Sequence, residues 1–436
     1  MSSRGADSHS TSRSRVVAWA LWDCGATGVN AVVVTFVFSV YLTQQVGSGM
    51  PGPTTPASWL GRVLTIAGLF VALLAPATGI WVGPANRRRT ALAILTGLVV
   101  AMTSAMSLIR ADYHYLWPGL VLLACTAACS DLATVPYNAM LRKLSTEKTS
   151  GRISGFGSAA GYAGSVVLLL IVYFGFIQGD GATRGLLGIN SVNGENVRAA
   201  MLLAAAWLAL FAWPLLVSMR LPAAGDRSPV VGFLGAYRAL WAEVKGQWRR
   251  DHNVVYYLLA SAVFRDGLTG VFAFGAVLGV SVYGVSQADV LVFGVCASIV
   301  AAIGAVLGGL LDDRVGSKPV ITGSLTAMIA VGLVLLTLSG PLAFWICGLL
   351  LCLFVGPTLA SARALMLRMS TEGKEGVAFG LYTTTGRAVS FLAPWMFFTF
   401  IDLFGADRAG LGGICVVLAA GLAAMVIAVR VPREAN

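Results

Sequence analysis

About twelve apolar runs leave this 436-residue chain few possible folds. They fall at 16–43, 58–82, 90–109, 116–141, 152–177, 197–219, 254–282, 288–311, 319–339, 342–367, 377–401 and 409–429. Roughly 20 apolar residues suffice to cross a ~30 Å hydrocarbon layer as a helix. Lipid offers no partner to backbone N–H and C=O groups, so a spanning segment must satisfy them itself. The runs do not alternate as the strands of a membrane β-barrel would, and helices are the expectation. Composition agrees: 11% of the residues are charged, against about 25% in soluble domains, and the mean hydropathy is +0.81.

The basic residues set an orientation. Of 30 Lys and Arg residues, 22 fall in the amino-terminal tail, alternate loops and the carboxyl tail. Basic loops stay on the cytoplasmic side, so both termini are expected there, in a bacterial inner membrane. The amino-terminal polar stretch lacks a small-residue cleavage pattern and is expected to stay attached. The net charge of +11 is spread over loops rather than gathered in a patch, which argues against a nucleic-acid partner. All seven cysteines fall in the apolar runs. Cys125 and Cys129 share a helix face, but without a histidine or third thiol they read as packing residues rather than metal ligands. No cofactor or metal is expected.

The chain repeats itself. "ALWDCGATG" (20–28) aligns with "AVFRDGLTG" (262–270), and the stretch 138–162 aligns with 363–387. The second alignment repeats a Ser-Thr-Glu triplet and glycines at 151/376, 155/380 and 161/386. Two related six-helix halves in the same orientation imply parallel repeats about an axis along the membrane normal. That arrangement resembles the major facilitator superfamily, whose substrate site lies near mid-membrane between the halves. The expected organisation is a tail (1–15), a first half (16–220), a linker (221–253), a second half (254–430) and a tail (431–436). In the linker, Phe233, Tyr237, Leu240, Trp241, Val244 and Trp248 share one helical face, as on a helix lying along the membrane surface.

Further motifs carry the resemblance. "GGLLDDRVGSK" (308–318) is similar to the facilitator loop signature at Gly309, Leu311, Asp313, Arg314, Gly316 and Lys318. Its first-half partner "GIWVGPANRRR" (79–89) keeps Gly79 but has Gly83 where the acid belongs. The stretches 18–42, 151–164, 264–286 and 354–394 resemble the vacuole-effluxer-like permeases, relatives of an autophagy permease. Arg265 stands where that family has Asn, and Cys24-Gly25 replaces an aromatic-small pair. The resemblance implies solute transport, with amino-acid efflux as the best-known activity.

Charges inside the runs point to a site. One charge at mid-bilayer costs at least ~2.5 kcal/mol, so such groups should face a cavity or a partner. Arg62 and Asp289 lie near helix ends and can snorkel. Asp23, Asp131, Arg265, Asp266, Arg363 and Arg387 lie deeper, and the repeat matches Asp23 to Arg265 and Asn138 to Arg363. A cross-cavity pair of Asp23 with Arg265 is expected. Arg265 and Asp266 are about 100° apart on a helix, so Arg265 is assigned to the cavity. Asp266 is assigned either to a helix interface or to proton coupling. The arginines favour a carboxylate- or phosphate-bearing substrate, and the aspartates supply proton carriers or a counter-charge for an amine. The plainer alternative is that these charges only join helices.

The resulting expectation is a proton-coupled secondary transporter of a small-molecule substrate, acting as a monomer in the lipid bilayer. Drug efflux and a non-transporting receptor on the same fold are the alternatives. No P-loop or metal-ligand cluster points to an enzyme. For gating, Asp313 is expected at the start of the fifth span near Ser150, Gly151 and Arg152, with Arg152 as an added pair and Arg314 beside it. Gly83 predicts that the matching contact in the other half is missing.

Overall fold

The computed structural model describes residues 13–51, 54–82, 85–179, 181–218, 232–250 and 252–430. The two tails (apart from Arg13–Arg15 and Arg430), Gly83 and the 219–231 stretch of the linker therefore lie outside the described residues. Among the described residues, twelve spans are long and apolar enough to cross a membrane. Spans one to six are Arg13–Val46, Pro56–Trp81, Arg87–Leu108, Tyr113–Leu144, Ser150–Ile177 and Val192–Ser218. Spans seven to twelve are Asn253–Ser281, Val292–Val315, Ser317–Thr337, Pro341–Met369, Glu375–Phe404 and Ala409–Ile427. Their outward faces carry large apolar side chains such as Leu69, Leu210, Trp213, Leu342 and Leu403, as a surface solvated by lipid requires.

Several spans depart from plain helix, the first and the eleventh most relevantly for the site. In the first, the β-branched run Val32–Thr35 crowds the preceding turn, and the helix widens into π-type turns at Ala31–Phe36 and Leu42–Val46. The eleventh is broken into Glu375–Val389 and Leu392–Phe404. Pro394 explains the break, because it has no N–H and its ring would crowd the Ser390 carbonyl. A small hairpin pairing Thr183–Arg184 with Ile189–Asn190 lies between spans five and six, where periodicity carried no signal. The linker helix, Phe233–Arg250, packs against span two through buried Leu240 and a hydrogen bond from the Tyr237 hydroxyl to the Leu73 carbonyl. Trp241 and Trp248 stay exposed.

The two halves meet along two glycine-lined crossings that obey the repeat. Span five meets span eight where Gly155 faces the Ala305 carbonyl and Gly309 Cα. Span eleven meets span two where Gly380 faces the Ala75 carbonyl and Gly79 Cα. A Cβ at Gly155 would lie 3.1 Å from Gly309 Cα, and one at Gly380 would lie 2.7 Å from the Ala75 oxygen. Small residues thus let the backbones approach within van der Waals range, the main source of helix association in lipid.

Ion pairs close the basic-loop end of both crossings. Asp313 accepts hydrogen bonds from the Gly151 and Arg152 backbone N–H groups at 2.8 and 3.2 Å, and Arg152 Nε approaches it at 3.9 Å. The carboxylate therefore meets unpaired donors at the positive end of the fifth-span helix, as the sequence predicts. Arg314 is exposed and makes no ion pair among the described residues. Buried Asp312, which sequence reading passed over, sits 2.6 Å from Arg368 Nη1. Arg368 also donates to Ser317 Oγ and to the Glu147 carbonyl.

The expectation of a missing second contact is overturned. At the matching crossing the acid is Glu375, the first residue of the span-eleven helix itself. Arg88 reaches it from the other half at 2.8 Å, and Arg142 Nε lies 3.3 Å away. Arg142 also donates to the Leu367 carbonyl at 2.8 Å, and Arg88 to the Ala139 carbonyl at 2.9 Å. The contact is kept with its polarity reversed: the carboxylate belongs to the helix start, and the cation crosses to it.

Both contacts join the two halves at the basic-loop end, so separating the halves there requires breaking them. Glu375→Gln leaves Arg88 buried without its anion and should destabilise this conformation by about 3 kcal/mol. Asp313→Asn should do so by about 1–2 kcal/mol. In proteoliposomes, cysteines introduced along the cavity should become markedly more reactive from the basic-loop side in both variants, and more so in Glu375→Gln. Exchanging the charges, Arg88→Glu with Glu375→Arg, should restore part of the protection. Unchanged reactivity in Glu375→Gln contradicts the reversed contact.

Candidate functional site

The centre of the site is built on the first span. Its face packs against span five, where Gly157 lies against the Trp19 ring and Gly161 against Thr27 and Asp23. A Cβ at Gly161 would stand 2.8 Å from Thr27 Oγ1 and 3.4 Å from the Asp23 carboxyl carbon, so the glycine makes room for the hydroxyl that bonds the acid. Trp19 stacks on Tyr137 of span four with ring centres 4.5 Å apart and planes 1° from parallel. Its indole N–H donates to the Tyr137 carbonyl at 3.1 Å. On the other side of Tyr137, Trp22 stacks at 4.4 Å and donates to Thr96 Oγ1. The stacking and the two indole hydrogen bonds fix the rings beside Asp23.

Asp23 accepts from Thr27 Oγ1 at 3.3 Å and faces Arg363 of span ten at 3.7 Å. The second contact joins the two halves. It is an ion pair without a hydrogen bond, and Arg363 Nη1 is buried with no hydrogen-bonding partner. Arg363 Nη2 donates to Ser158 Oγ at 3.2 Å, and the guanidinium lies within 6 Å of the Trp19 and Tyr137 rings. The Tyr137 hydroxyl lies beside Asp23 and Arg363 and is buried without a hydrogen bond. The Asn138 side-chain oxygen is also buried and unpaired. Such orphaned atoms cost about 1–3 kcal/mol each.

The expected pair of Asp23 with Arg265 does not form. The two occupy matching places, for Arg265 lies against Gly386 as Asp23 lies against Gly161. Arg265 instead turns within its own half. Its guanidinium sits 3.7 Å from the centre of the Tyr382 ring, and Nη2 donates to the Tyr382 carbonyl at 3.1 Å. The aromatic face and carbonyl of one residue satisfy part of the cation, and Asp23 is left to Arg363. The arrangement is therefore symmetric in backbone and asymmetric in charge.

The remaining two aspartates separate in role. Asp131 of span four forms an ion pair with Arg387 of span eleven, a second link between the halves. Asp266 is 6% exposed and points away from the cavity. Its Oδ2 accepts the Ala393 N–H at 2.5 Å, and the Leu392 N–H also reaches the carboxylate. Both donors belong to the first turn after the break in span eleven, so Asp266 caps that helix from a neighbouring span. Of the two sequence alternatives for Asp266, the structure matches the helix interface. Among the described residues no group of three or more His, Cys, Asp or Glu side chains is placed to hold a metal ion.

Sequence reading missed Tyr137, Trp19 and Tyr382, because an aromatic residue in an apolar run looks like any other packing residue. Ser158 and Glu375 were equally silent. For Glu375 a signal was available in its position beside Gly376, a glycine that the repeat preserves.

Twelve apolar helices in two parallel halves, with paired charges buried between them, define a multi-pass membrane transporter of the major facilitator fold. Residues 50–436 match the family model described as "Vacuole effluxer Atg22 like", and the chain belongs to that family. It is 22% identical over 421 residues to an uncharacterized MFS-type transporter, YxiO, of Bacillus subtilis (strain 168), covering 96% of this chain and 95% of that one. The fold matches the proton:xylose symporter XylE bound to 6-bromo-6-deoxy-D-glucose, with TM-score 0.74, 14% identity and 96% coverage of both chains. It also matches FucP in the outward conformation, with TM-score 0.70, 15% identity and coverage of 96% and 100%.

Asp266 gives a decisive pair of variants. Asn caps a helix about as well as Asp, so Asp266→Asn should keep thermal stability and transport near those of the unsubstituted protein. Asp266→Ala frees two buried N–H groups and should cost about 1–2 kcal/mol, read as a lower unfolding midpoint. Loss of gradient-driven transport in a stable Asp266→Asn protein would move Asp266 back to proton coupling.

Proposed function

We propose that this chain is a secondary active transporter that moves a small polar solute, an amino acid or short peptide, out of the cell by alternating access coupled to protons. The observation that carries the proposal is the inter-half pair of Asp23 and Arg363, with unpaired polar atoms around it. Rocking the halves apart must break this contact, and a proton on Asp23 removes the attraction that opposes the motion. Protonation and conformational change are thereby linked at one residue. Asp131 and Arg387 form a second pair subject to the same constraint. The family's description names efflux from a vacuole, and efflux from the cell is the direction taken here. The distribution of basic residues supports a cytoplasmic membrane with both termini inside, and one chain carries a complete site between its halves, as a monomer.

Paired closure of the basic-loop end, together with retained site charges, favours a cycling transporter over a receptor that has kept the fold. A hydrophobic drug would leave the buried polar atoms unsatisfied, which favours a polar solute over xenobiotics.

The test is counterflow in proteoliposomes with pooled amino acids, peptides and organic acids, with and without a pH gradient. Asp23→Asn cannot exchange a proton at this position. It should retain substrate exchange and lose gradient-driven accumulation by at least about tenfold, the equivalent of ~1.4 kcal/mol. Full accumulation in Asp23→Asn removes this residue as the proton site. Absence of counterflow for every pool counts against transport itself.

A further inference from the structure

Arg265, Arg363 and Arg387 of the candidate site are not equivalent. Arg363 has Asp23 as its anion, and Arg387 has Asp131. Arg265 has no carboxylate within ion-pair distance among the described residues. The adjacent Asp266 is engaged by the backbone N–H groups of Leu392 and Ala393 on the far side of the helix. Arg265 gives one hydrogen bond to the Tyr382 carbonyl, and its Nη1 is buried without any partner. Gly386 supplies the space in which the guanidinium lies, since any Cβ there would collide with it. The Tyr382 ring holds the guanidinium plane from one side, and Tyr382 also approaches Arg363, so the free cation lies beside the inter-half pair.

A desolvated guanidinium without an anion is costly to maintain. Cation–π contact with Tyr382 offsets part of that cost, but it leaves the N–H fork of Nη1 unused. A planar fork is suited to two parallel hydrogen bonds from a carboxylate or a comparable oxyanion. We propose that Arg265 is the subsite for an anionic group on the transported solute, with Tyr382 and Gly386 as the residues that position it. The inference rests on the transporter reading above. It makes the solute itself the missing counter-ion: each bound molecule must bring one acidic group next to Tyr382, and a solute lacking that group leaves the cation unpaired.

The test uses the purified full-length protein and ligand pairs that differ only at one carboxyl: leucine against leucinamide, alanyl-alanine against its amide, and lactate against lactamide. Binding is read as a rise in the thermal unfolding midpoint. At least one acid should bind about ten- to a hundredfold more tightly than its amide, the range for charged hydrogen bonds. Arg265→Gln should reduce the acid to the level of the amide, and Arg265→Lys should retain part of the preference. A measurement on the unsubstituted protein guards against a misfolded variant: peptide mass spectrometry after phenylglyoxal treatment should show Arg265 protected by the preferred acid and not by its amide. Equal binding of acid and amide in every pair, a preference that survives Arg265→Gln, or absence of protection would each overturn the subsite. If counterflow still detects flux of neutral or cationic solutes, only the subsite fails. If no pool shows flux, the transporter reading fails instead.

Discussion

A charge in a lipid-embedded protein must find an opposite charge, a dipole or water, and much of this structure follows from how that demand is met. Asp23 and Asp131 find arginines in the opposite half. Asp266 finds the first turn of a broken helix, and Arg265 finds an aromatic face and a carbonyl. The pairs that cross the interface bind the halves in this conformation, and the ones that stay within a half hold its internal shape. Only the first kind must break if the halves rock apart.

The repeat supplied two copies of one backbone arrangement, and divergence of side chains turned them to different uses. Gly161 and Gly386 occupy matching places, yet one lies against the Thr27 hydroxyl beside Asp23 and the other against a guanidinium. The loop-end closures show the same logic. At one, Asp313 crosses to the helix that begins at Ser150; at the other, Arg88 crosses to Glu375 on the helix itself. What is preserved is a negative group at a helix N-terminus, where the dipole favours it. Which half supplies that group is free to change.

The break in span eleven links these features. Its first segment begins at Glu375 and carries Tyr382, Gly386 and Arg387, so it touches the closure, the Arg265 environment and the Asp131 pair in turn. Its second segment is capped by Asp266 of span seven. Pro394 prevents one continuous helix, and the cap makes the resulting ends stable in a medium without water.

Sequence alone determined the fold, because hydrophobic length, the basic-loop bias and the repeat are each written in local composition and spacing. It also placed Asp313 against Gly151 and Arg152, since a loop signature and a repeated glycine identify a fixed crossing. The same information located the charged residues of the site but could not choose their partners. Pseudosymmetry pointed to Asp23 with Arg265, and the vacant acid position at Gly83 pointed to a missing contact; the tertiary structure decided both otherwise. The physical reason is the same in each case. A backbone repeat fixes where a Cα lies, whereas ion pairing depends on a few ångströms of side-chain reach and on neighbours such as Tyr382, Ala139 and Leu367, which come from distant parts of the chain and carry no charge signal of their own.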